Sequence, residues 1–308
     1  MCRELKKIPV LFLIFDRKEV SQQAFEAIRQ YQPDLLYIAA DGPRPDKNGE
    51  DRRCAETRQA VLDMIDWHCD VHTLFRDHNL GCAAGVSSAI SWFFQNEEYG
   101  AIIEDDVVVS QDFFRFAEEL LPRYKDDRRI WMITSQFLGK DEGRTTSDYG
   151  FSYAMRIWGW ATWRRAWEKM DMSMSRWKNI SLLSLIKRLG LFQGLMFQWY
   201  WSTAYKTINS GQTFNSWATR WWMNQFEAEG FTISPMANLS RNIGCTGTGG
   251  AHYEADDTDP YAHVKIGSLR FPLNHPAQVK MSKELDRSER DDFFRVRMIG
   301  LAKKLRRR

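Results

Sequence analysis

The sequence lacks several features that mark common classes of protein. It has no Cys-x-x-Cys pair, no Gly-x-x-x-x-Gly-Lys-Ser/Thr phosphate loop and no Gly-x-Gly-x-x-Gly turn, which disfavours zinc ribbons, P-loop hydrolases and dinucleotide enzymes. No apolar run approaches the roughly 20 residues that span a membrane. With 43 basic and 40 acidic residues, the net charge of +3 is too balanced for a nucleic-acid footprint over the whole surface.

Cysteine is scarce and scattered. The five cysteines are odd in number and far apart, which predicts free thiols in a reducing compartment. They are Cys2, Cys54, Cys69, Cys82 and Cys245. The apolar stretch Ile8–Phe15 is too short and too soon followed by charges for a signal peptide, so we expect a cytoplasmic protein.

The 308 residues are 44% hydrophobic and 14% aromatic, enough for one large domain or two modest ones. Apolar runs of strand length alternate with helical patterns in the first third. Strands are predicted at 8–15, 35–40, 71–75 and 101–109, and helices at 20–31, 50–66 and 82–95. This order predicts an α/β fold with a mostly parallel central sheet, helices on both faces and ligands at the carboxyl ends of the strands.

Three consecutive carboxylates, Glu104, Asp105 and Asp106, interrupt the β-branched fourth strand. Like charges repel, and burying an unpaired carboxylate is costly, so the cluster suggests a divalent cation or a donor-rich ligand. An acidic loop at a strand end is the alternative. Because no His or Cys adjoins the acids, magnesium or manganese is favoured over zinc, with a nucleotide or its sugar conjugate as substrate.

Two other predicted strands also end in residues suited to chemistry. Asp16 and Arg17 follow the first strand, and Asp41 and Gly42 follow the second. Because the carboxyl ends of parallel strands share one edge of the sheet, we expect these residues to meet the acid triplet in one crevice.

These stretches resemble the nucleotide-sugar domain of GT-A glycosyltransferases, most of all the N-acetylglucosaminyltransferase I type. The similarity runs from Ile8 through Ala40-Asp41-Gly42 to Ile103 and the acid triplet, ending at Asp112-Phe113-Phe114. Segments 158–163, 216–221 and 242–249 also resemble a group of bacterial sugar transferases. The resemblance implies a GT-A, Rossmann-like fold with helical and glycine-rich acceptor and lid segments.

The resemblance also implies roles on the donor side. Asp106 would ligate Mn²⁺ or Mg²⁺ at the donor diphosphate, while Glu104 and Asp105 would contact the ribose, the sugar or a metal-bound water. Asp41, beside Gly42, would bind the base or ribose, and Arg17 the base or phosphates; a turn residue and a surface charge are the alternatives. Weaker donor contacts, equally explained as a turn and helix cap, are Arg76, Asn79 and Gly81.

The acceptor side would come from aromatic and glycine-rich segments, whose aromatic rings could equally be core residues. The residues assigned to acceptor and lid are Trp158, Gly159, Trp160, Trp217, Arg220, Gly247, Gly249 and His252. His252 is also a weak second candidate for the metal, with a structural histidine as the alternative.

The chain departs from the family at the general base. Inverting members carry a Trp-Asp motif before the glycine-rich loop, and the matching pair here is Trp217-Ala218. Candidates for a catalytic carboxylate are then Asp105, Asp148 and Glu168. Another stereochemical course, or loss of transfer activity, would explain the departure equally.

We expect residues 1–135 to form the nucleotide-sugar-binding half and 136–275 the acceptor and lid half of one GT-A domain. The helical, unusually apolar stretch 176–205 could pack in the core, wall an acceptor cleft or meet a membrane. The basic amphipathic tail, 276–308, could pack on the domain or lie on anionic lipid.

The sequence thus predicts a metal-dependent glycosyltransferase. The first candidate for its activity is an inverting hexosyltransferase. Its donor would be a nucleotide-diphosphate sugar, UDP-linked as first candidate, and its acceptor a glycan or lipid-linked sugar of a bacterial surface polysaccharide. It would work in the cytoplasm or at the inner face of the cell membrane, without nucleic acid. A nucleotidyltransferase that forms a nucleotide sugar, or a non-catalytic protein that binds nucleotide sugars or glycans, is the alternative.

Overall fold

A computed structural model of the protein describes residues 7–137, 147–244 and 264–290. The strands are β1 (Val10–Ile14), β2 (Leu35–Ala40), β3 (Asp70–Phe75), β4 (Tyr99–Glu104), β5 (Val107–Val109), β6 (Ile130–Thr134), β7 (Tyr149–Ser152), β8 (Trp160–Trp163), β9 (Phe231–Pro235) and β10 (Ser240–Asn242). The α-helices are α1 (Lys18–Tyr31), α2 (Glu50–Leu62), α3 (Gly81–Asn96), α4 (Gln111–Arg123), α5 (Arg164–Trp167), α6 (Leu182–Leu189), α7 (Leu191–Asn209) and α8 (Trp217–Glu227).

Eight of these strands form one sheet, in the order β3-β2-β1-β4-β8-β6-β9-β7. The first four are parallel to one another, β8 runs antiparallel between β4 and β6, and β7 is an antiparallel edge strand. The predicted α/β class, with a large and mostly parallel sheet flanked by helices, is confirmed. Strands β5 and β10 form a separate two-stranded antiparallel sheet.

The apolar run of β1 is continuous because both faces of the large sheet are covered. Val10, Phe12 and Ile14 belong to one hydrophobic core, and Leu11 and Leu13 to the core on the opposite face. Successive side chains of a strand point to opposite faces, so a strand between two helical layers needs apolar residues at every position.

The predicted fourth strand, 101–109, is wrong as a single element. The chain turns at Asp105 and Asp106, so that β4 stays in the large sheet while β5 pairs with β10. Two adjacent carboxylates pair poorly inside a ladder but are accommodated in a turn, where their oxygens can meet polar partners.

The stretch predicted to be helical, 176–205, is helical. It forms a 3₁₀ helix at Ser175–Asn179, then α6 and α7, which are separated by Gly190. Among the described helices, none combines the length and the apolar character needed to cross a bilayer.

Candidate active site

A cleft of about 560 Å³ opens at the carboxyl ends of β1, β2 and β4. Asp16, Arg17, Asp41 and the acid triplet all line it, so the predicted convergence of the three strand ends occurs. The cause is the register: β1 lies between β2 and β4 and pairs in parallel with both, so the residues that follow each strand emerge side by side.

Arg17 bridges two carboxylates of the triplet. Its Nη2 donates to Asp105 Oδ1 at 2.5 Å and to Asp106 Oδ2 at 2.9 Å, and its Nε donates to Asp105 Oδ2 at 3.3 Å. Burial works against the guanidinium charge, but Asp105 and Asp106 outweigh it and raise the pKa of Arg17. One cation therefore offsets part of the negative charge that the sequence brings together.

Burial raises the pKa of two acids of the triplet, Glu104 and Asp105. Burial, followed by the charges of Asp106 and Asp105, raises the pKa of Glu104 to about 8. Burial also raises the pKa of Asp105 to about 6, although Arg17 opposes this shift. Glu104 Oε1 is buried and has no hydrogen-bond partner among the described residues. Glu104 is therefore protonated at neutral pH, with an oxygen still able to bind a ligand.

Asp106 stands where a cation could be bound. Its Oδ1 accepts a long hydrogen bond, 3.3 Å, from Asn242 Nδ2, and its backbone carbonyl accepts one from Ile243 N at 2.7 Å. The carboxylates of the triplet offer oxygen atoms as ligands, the type that Mg²⁺ and Mn²⁺ prefer. Within residues 7–137, 147–244 and 264–290, no three His, Cys, Asp or Glu side chains enclose a metal site. The residues fit a metal ion whose coordination shell is completed by substrate phosphates.

Asp41 holds a loop at the mouth of the cleft. Its carboxylate accepts hydrogen bonds from the backbone N–H groups of Leu80 and Gly81, at 3.0 Å each, and of Gly42, at 3.1 Å. A Cβ on Gly42 would come within 2.3 Å of the His78 backbone nitrogen, so only glycine fits there. Asp41 thus fixes the start of α3 against the end of β2.

The three weaker donor candidates line the same cleft. Asn79 Nδ2 donates to Gly42 O at 2.8 Å, and Asn79 Oδ1 accepts from Gly81 N at 3.0 Å, which is the geometry of a turn. Arg76 Nη2 donates to Ser88 Oγ at 2.8 Å. Asn79 and Gly81 therefore shape the loop, and Arg76 supplies a positive charge to the cleft.

The opposite wall comes from later parts of the chain. Trp158 and Trp217 line the cleft, together with the loop from Asn215 to Ala218. Asn215 Oδ1 accepts from Ala83 N at 2.9 Å, joining this wall to the start of α3. Of the tryptophans predicted to face an acceptor, Trp158 and Trp217 thus line the cleft and Trp160 does not.

Trp160 does not reach the cleft. It is fully buried and stacks on Trp217, with ring centroids 5.5 Å apart and planes at 22°. Trp167 and Trp221 complete this tryptophan cluster. The core interpretation, which the sequence left open, describes Trp160.

Gly159 and Arg220 also have structural roles. Gly159 has φ +77°, and a Cβ there would lie 2.5 Å from Val109 Cγ1, so glycine lets β8 begin against β5. Arg220 is buried and donates to the backbone carbonyls of Met172, Phe214 and Ser216. Neither residue lines the cleft.

Two candidates for a catalytic carboxylate lie elsewhere. Asp148 Oδ2 accepts from Asn274 N at 2.6 Å beside β7, and Glu168 is exposed just after α5. Neither lines the cleft, whereas Asp105 does. Gly247, Gly249 and His252 lie outside the described residues.

Sequence reasoning missed three polar residues of the cleft, Arg44, Asn215 and Asn242. Arg44 forms an ion pair with the buried Glu50, at the start of α2. Asn242 belongs to the stretch that resembles sugar transferases, and its amide contact with Asp106 could have been suspected from that position. Nothing in the local sequence marks Asn215.

Comparison with known proteins gives only distant likenesses. No family model and no curated protein matches the chain. Among solved structures, the mannosyltransferase PcManGT from Pyrobaculum calidifontis, in complex with GDP-Man and Mn²⁺, is 14% identical with a TM-score of 0.37. That match covers 53% of this chain and 46% of the mannosyltransferase, so the chain matches about half of the mannosyltransferase's length.

Two further matches are to other proteins. A UDP-glucose pyrophosphorylase complexed with UDP-glucose is 11% identical over 53% of this chain and 79% of its own, with a TM-score of 0.31. HddC from Yersinia pseudotuberculosis is 8% identical over 51% and 77%, with a TM-score of 0.33. Likenesses this distant carry no argument about function, which must come from the site.

Proposed function

We propose that this protein is a metal-dependent glycosyltransferase of the GT-A type that uses a nucleotide-diphosphate sugar. The observation that carries the proposal is the position of the triplet Glu104-Asp105-Asp106, at the end of β4 and in one cleft with Arg17 and Asp41. A UDP-linked sugar is the first candidate donor. The acceptor would be a glycan or lipid-linked sugar in bacterial surface polysaccharide assembly.

On the donor side, Asp106 would hold Mn²⁺ or Mg²⁺, with His252 as a weaker second ligand. When bound, such a cation supplies positive charge that stabilises a departing nucleoside diphosphate. Arg17 and Arg76 would add hydrogen-bond donors to the phosphates. Glu104 would contact the ribose or the sugar, and Asp41 would keep the loop at the base in place.

On the acceptor side, Trp158 would offer a flat apolar face to a sugar ring, and Trp217, which is 2% exposed and stacks on Trp160, would support this wall from the core. Gly247 and Gly249 would belong to a glycine-rich segment over the donor. The basic tail 276–308 would bring the enzyme to an anionic membrane surface.

The described residues that form the opposite wall include no carboxylate. The cleft-lining acids of the described chain are Asp16, Asp41 and the triplet, all on the donor side. Ala218 lines the wall where the family's carboxylate would stand. This observation favours a second candidate function, a protein that binds nucleotide sugars without transferring them.

Titration calorimetry with UDP and GDP, with and without MnCl₂, tests donor binding. We expect affinity to rise at least tenfold with Mn²⁺, and Asp106→Asn to abolish that gain while Asp46→Asn, an exposed carboxylate outside the cleft, keeps it. Nucleotide binding that is indifferent to both Mn²⁺ and Asp106 would refute the proposal.

Product analysis separates the alternatives. A glycosyltransferase releases a nucleoside diphosphate when given a nucleotide sugar and an acceptor. A nucleotidyltransferase instead releases pyrophosphate from a nucleoside triphosphate and a sugar phosphate. Tight, Mn²⁺-dependent binding with no turnover over a panel of donors and acceptors would establish the non-catalytic function.

A further inference from the structure

A cluster of large apolar side chains lies exposed on the hairpin of α6 and α7. Phe192 is 77% exposed, Leu183 75% and Trp199 67%. Of the eight large hydrophobic residues exposed in the described chain, six belong to this hairpin. We call them the hairpin face: Leu182, Leu183, Leu191, Phe192, Leu195 and Trp199. Large apolar patches on a monomer mark a surface that binds something.

The hairpin face is the outer side of a firmly packed unit. Phe192, Leu195 and Trp199 follow the three- and four-residue spacing of one helix face. The opposite face of α7 is buried: Phe197 and Trp201 pack on Trp222, with ring centroids 4.7 and 6.1 Å apart. The outward rings are therefore held out by a fixed helix and cannot turn into the core.

Helices α6 and α7 also approach each other closely. A Cβ on Gly194 would lie 2.9 Å from the Ile186 backbone nitrogen, so glycine permits this contact. The two helices therefore present their exposed residues as one surface.

The hairpin itself carries charge of one sign, although Glu227 and Glu229 lie 3.8 Å from the guanidinium groups of Arg176 and Arg188. No Asp or Glu occurs between Asp171 and Glu227. Lys178, Lys187 and Lys206 are exposed in this stretch. Lys187 comes four residues after Leu183 and Lys206 seven after Trp199, so each lies on the helix face of an exposed apolar residue. An apolar surface whose own helices carry cations and no acid complements a layer that is anionic outside and apolar beneath.

The end of the described chain adjoins the same hairpin. Arg290 Nη1 donates to Leu189 O at 2.8 Å and also contacts Gln193. Beyond Asp292 the sequence has no acid, and its cations are Arg295, Arg297, Lys303, Lys304, Arg306, Arg307 and Arg308. Since hairpin and tail are both cationic, charge repulsion disfavours the tail as the cover of the hairpin face.

We propose that the hairpin face docks on an anionic lipid bilayer. Phe192, Trp199 and the leucines would enter the boundary between headgroups and acyl chains, while Lys187 and Lys206 meet lipid phosphates. This inference rests on the membrane contact of the proposed function and assigns it to the hairpin face, while its test involves neither the cleft nor its ligands, so that either can fail alone.

Vesicle flotation of the full chain tests the proposal. With phosphatidylcholine vesicles containing about one-third phosphatidylglycerol, we expect binding that weakens with salt and is lost on pure phosphatidylcholine. Phe192→Ser/Trp199→Ser should weaken binding at least tenfold. The matched control is Ile266→Ser, a 40% exposed apolar residue outside the hairpin, which should bind as the wild type does.

The depth to which Trp199 enters the bilayer is measured by the quenching of tryptophan fluorescence with brominated lipids. The wild type should lose more tryptophan fluorescence than Trp199→Phe, because Trp199 enters the bilayer. Binding of Phe192→Ser/Trp199→Ser equal to that of the wild type would overturn the proposal and assign any lipid binding to the tail. A wild-type dimer that this double variant converts to a monomer, seen by light scattering, would overturn it in favour of a second copy as the occupant.

Discussion

At the scale of single residues, the most consequential contact is that of Arg17 with Asp105 and Asp106. A guanidinium placed between carboxylates offsets their repulsion and satisfies their oxygens, which makes a dense acid cluster compatible with a folded protein. It also competes with any metal ion for the same oxygens. Arg17 therefore lowers the affinity of the triplet for a cation in the absence of nucleotide.

The first prediction concerns Arg17→Gln. Without the guanidinium, we expect Mn²⁺ to bind the nucleotide-free protein roughly tenfold more tightly or better, since a cation within about 4–6 Å shifts ionisation by about 1–3 pK units. Titration followed by Mn²⁺ electron paramagnetic resonance measures this. Arg53→Gln, which removes a guanidinium paired with Asp16, is the matched control and should leave Mn²⁺ affinity nearly unchanged. Equal affinity of Arg17→Gln and wild type would contradict the prediction.

The second prediction concerns pH and Glu104, whose pKa is raised to about 8. An unfolded Glu has its ordinary pKa near 4.3, so between these values the folded state holds a proton that the unfolded state has released. Stability is therefore lost as pH rises from about 5 through about 8. In metal-free buffer, the Tm of the wild type should fall as the pH rises over this range. The Tm of Glu104→Gln should fall by several degrees less.

Differential scanning calorimetry at pH 5, 6.5 and 8 measures the effect. The exposed Glu229→Gln is the control and should follow the wild type. A pH dependence of Glu104→Gln identical to that of the wild type would show that Glu104 titrates normally.

At the scale of elements, strand β8 decides the shape of the cleft. It is antiparallel to its neighbours β4 and β6, so the segment that precedes it, with Trp158, emerges at the same edge as the carboxyl end of β4. Its start is possible because Gly159 adopts φ +77° against Val109. Wall and acids thus come from opposite ends of adjacent strands.

The third prediction tests this start. Gly159→Ala combines strain from a positive φ with a Cβ 2.5 Å from Val109 Cγ1, and should lower the free energy of unfolding by about 3 kcal/mol. Gly211→Ala has a similar φ, +75°, with nothing within 4 Å of the Cβ, and should cost only about 1 kcal/mol. Urea denaturation compares the two. Equal losses would mean that the contact with Val109 is relieved by local movement.

The helices and strands of the first half could be predicted from the sequence because, in each of them, the apolar residues follow a single pattern over its whole length. Leu35–Ala40 was predicted to the residue, and α1, α3 and β3 to within a few residues. The break between β4 and β5 could not, because β-branched residues continue on both sides of the acids. The pairing of β5 with β10 depends on contacts between residues far apart in the sequence, which periodicity does not report.

At the scale of the whole molecule, the last described segment is fastened to the domain by buried charges. Arg156 Nε donates to Glu289 Oε2 at 3.1 Å, and both side chains are almost fully buried. Asp286 accepts from Tyr153 N at 2.7 Å. Residues 283–290 are helical, and the chain just before them pairs with the edge strand β7 through a bridge between Met281 and Phe151 and a 2.9 Å hydrogen bond from Ser282 N to Phe151 O.

The fourth prediction concerns this ion pair. Glu289→Gln removes the carboxylate charge that faces Arg156 and should cost about 3–5 kcal/mol of unfolding free energy. Arg156→Met/Glu289→Met removes both charges and should recover most of that loss. Chemical denaturation of the full chain measures all variants. A double variant less stable than Glu289→Gln would show that the pair is itself stabilising.

The site was predictable where it depends on strand ends and not where it depends on tertiary packing. Asp41 and the triplet were placed correctly in the cleft because the carboxyl ends of β2 and β4 had been recognised. Trp158 and Trp160 could not be told apart, since residues two apart share one face of a regular strand, whereas here Trp158 lies outside β8, before Gly159 with its φ of +77°. Asn215 and Asn242 reach the cleft only through folding of the second half.

The contact between Asn242 and Asp106 joins residues 136 positions apart in the sequence. Closing so long a loop is slow and has an entropic cost, and local pairings form before it. The strands of the first half can pair while their acids still lack these partners. We therefore expect the cleft to be completed late in folding, and a chain interrupted before β10 to have the large sheet without the contact between Asn242 and Asp106.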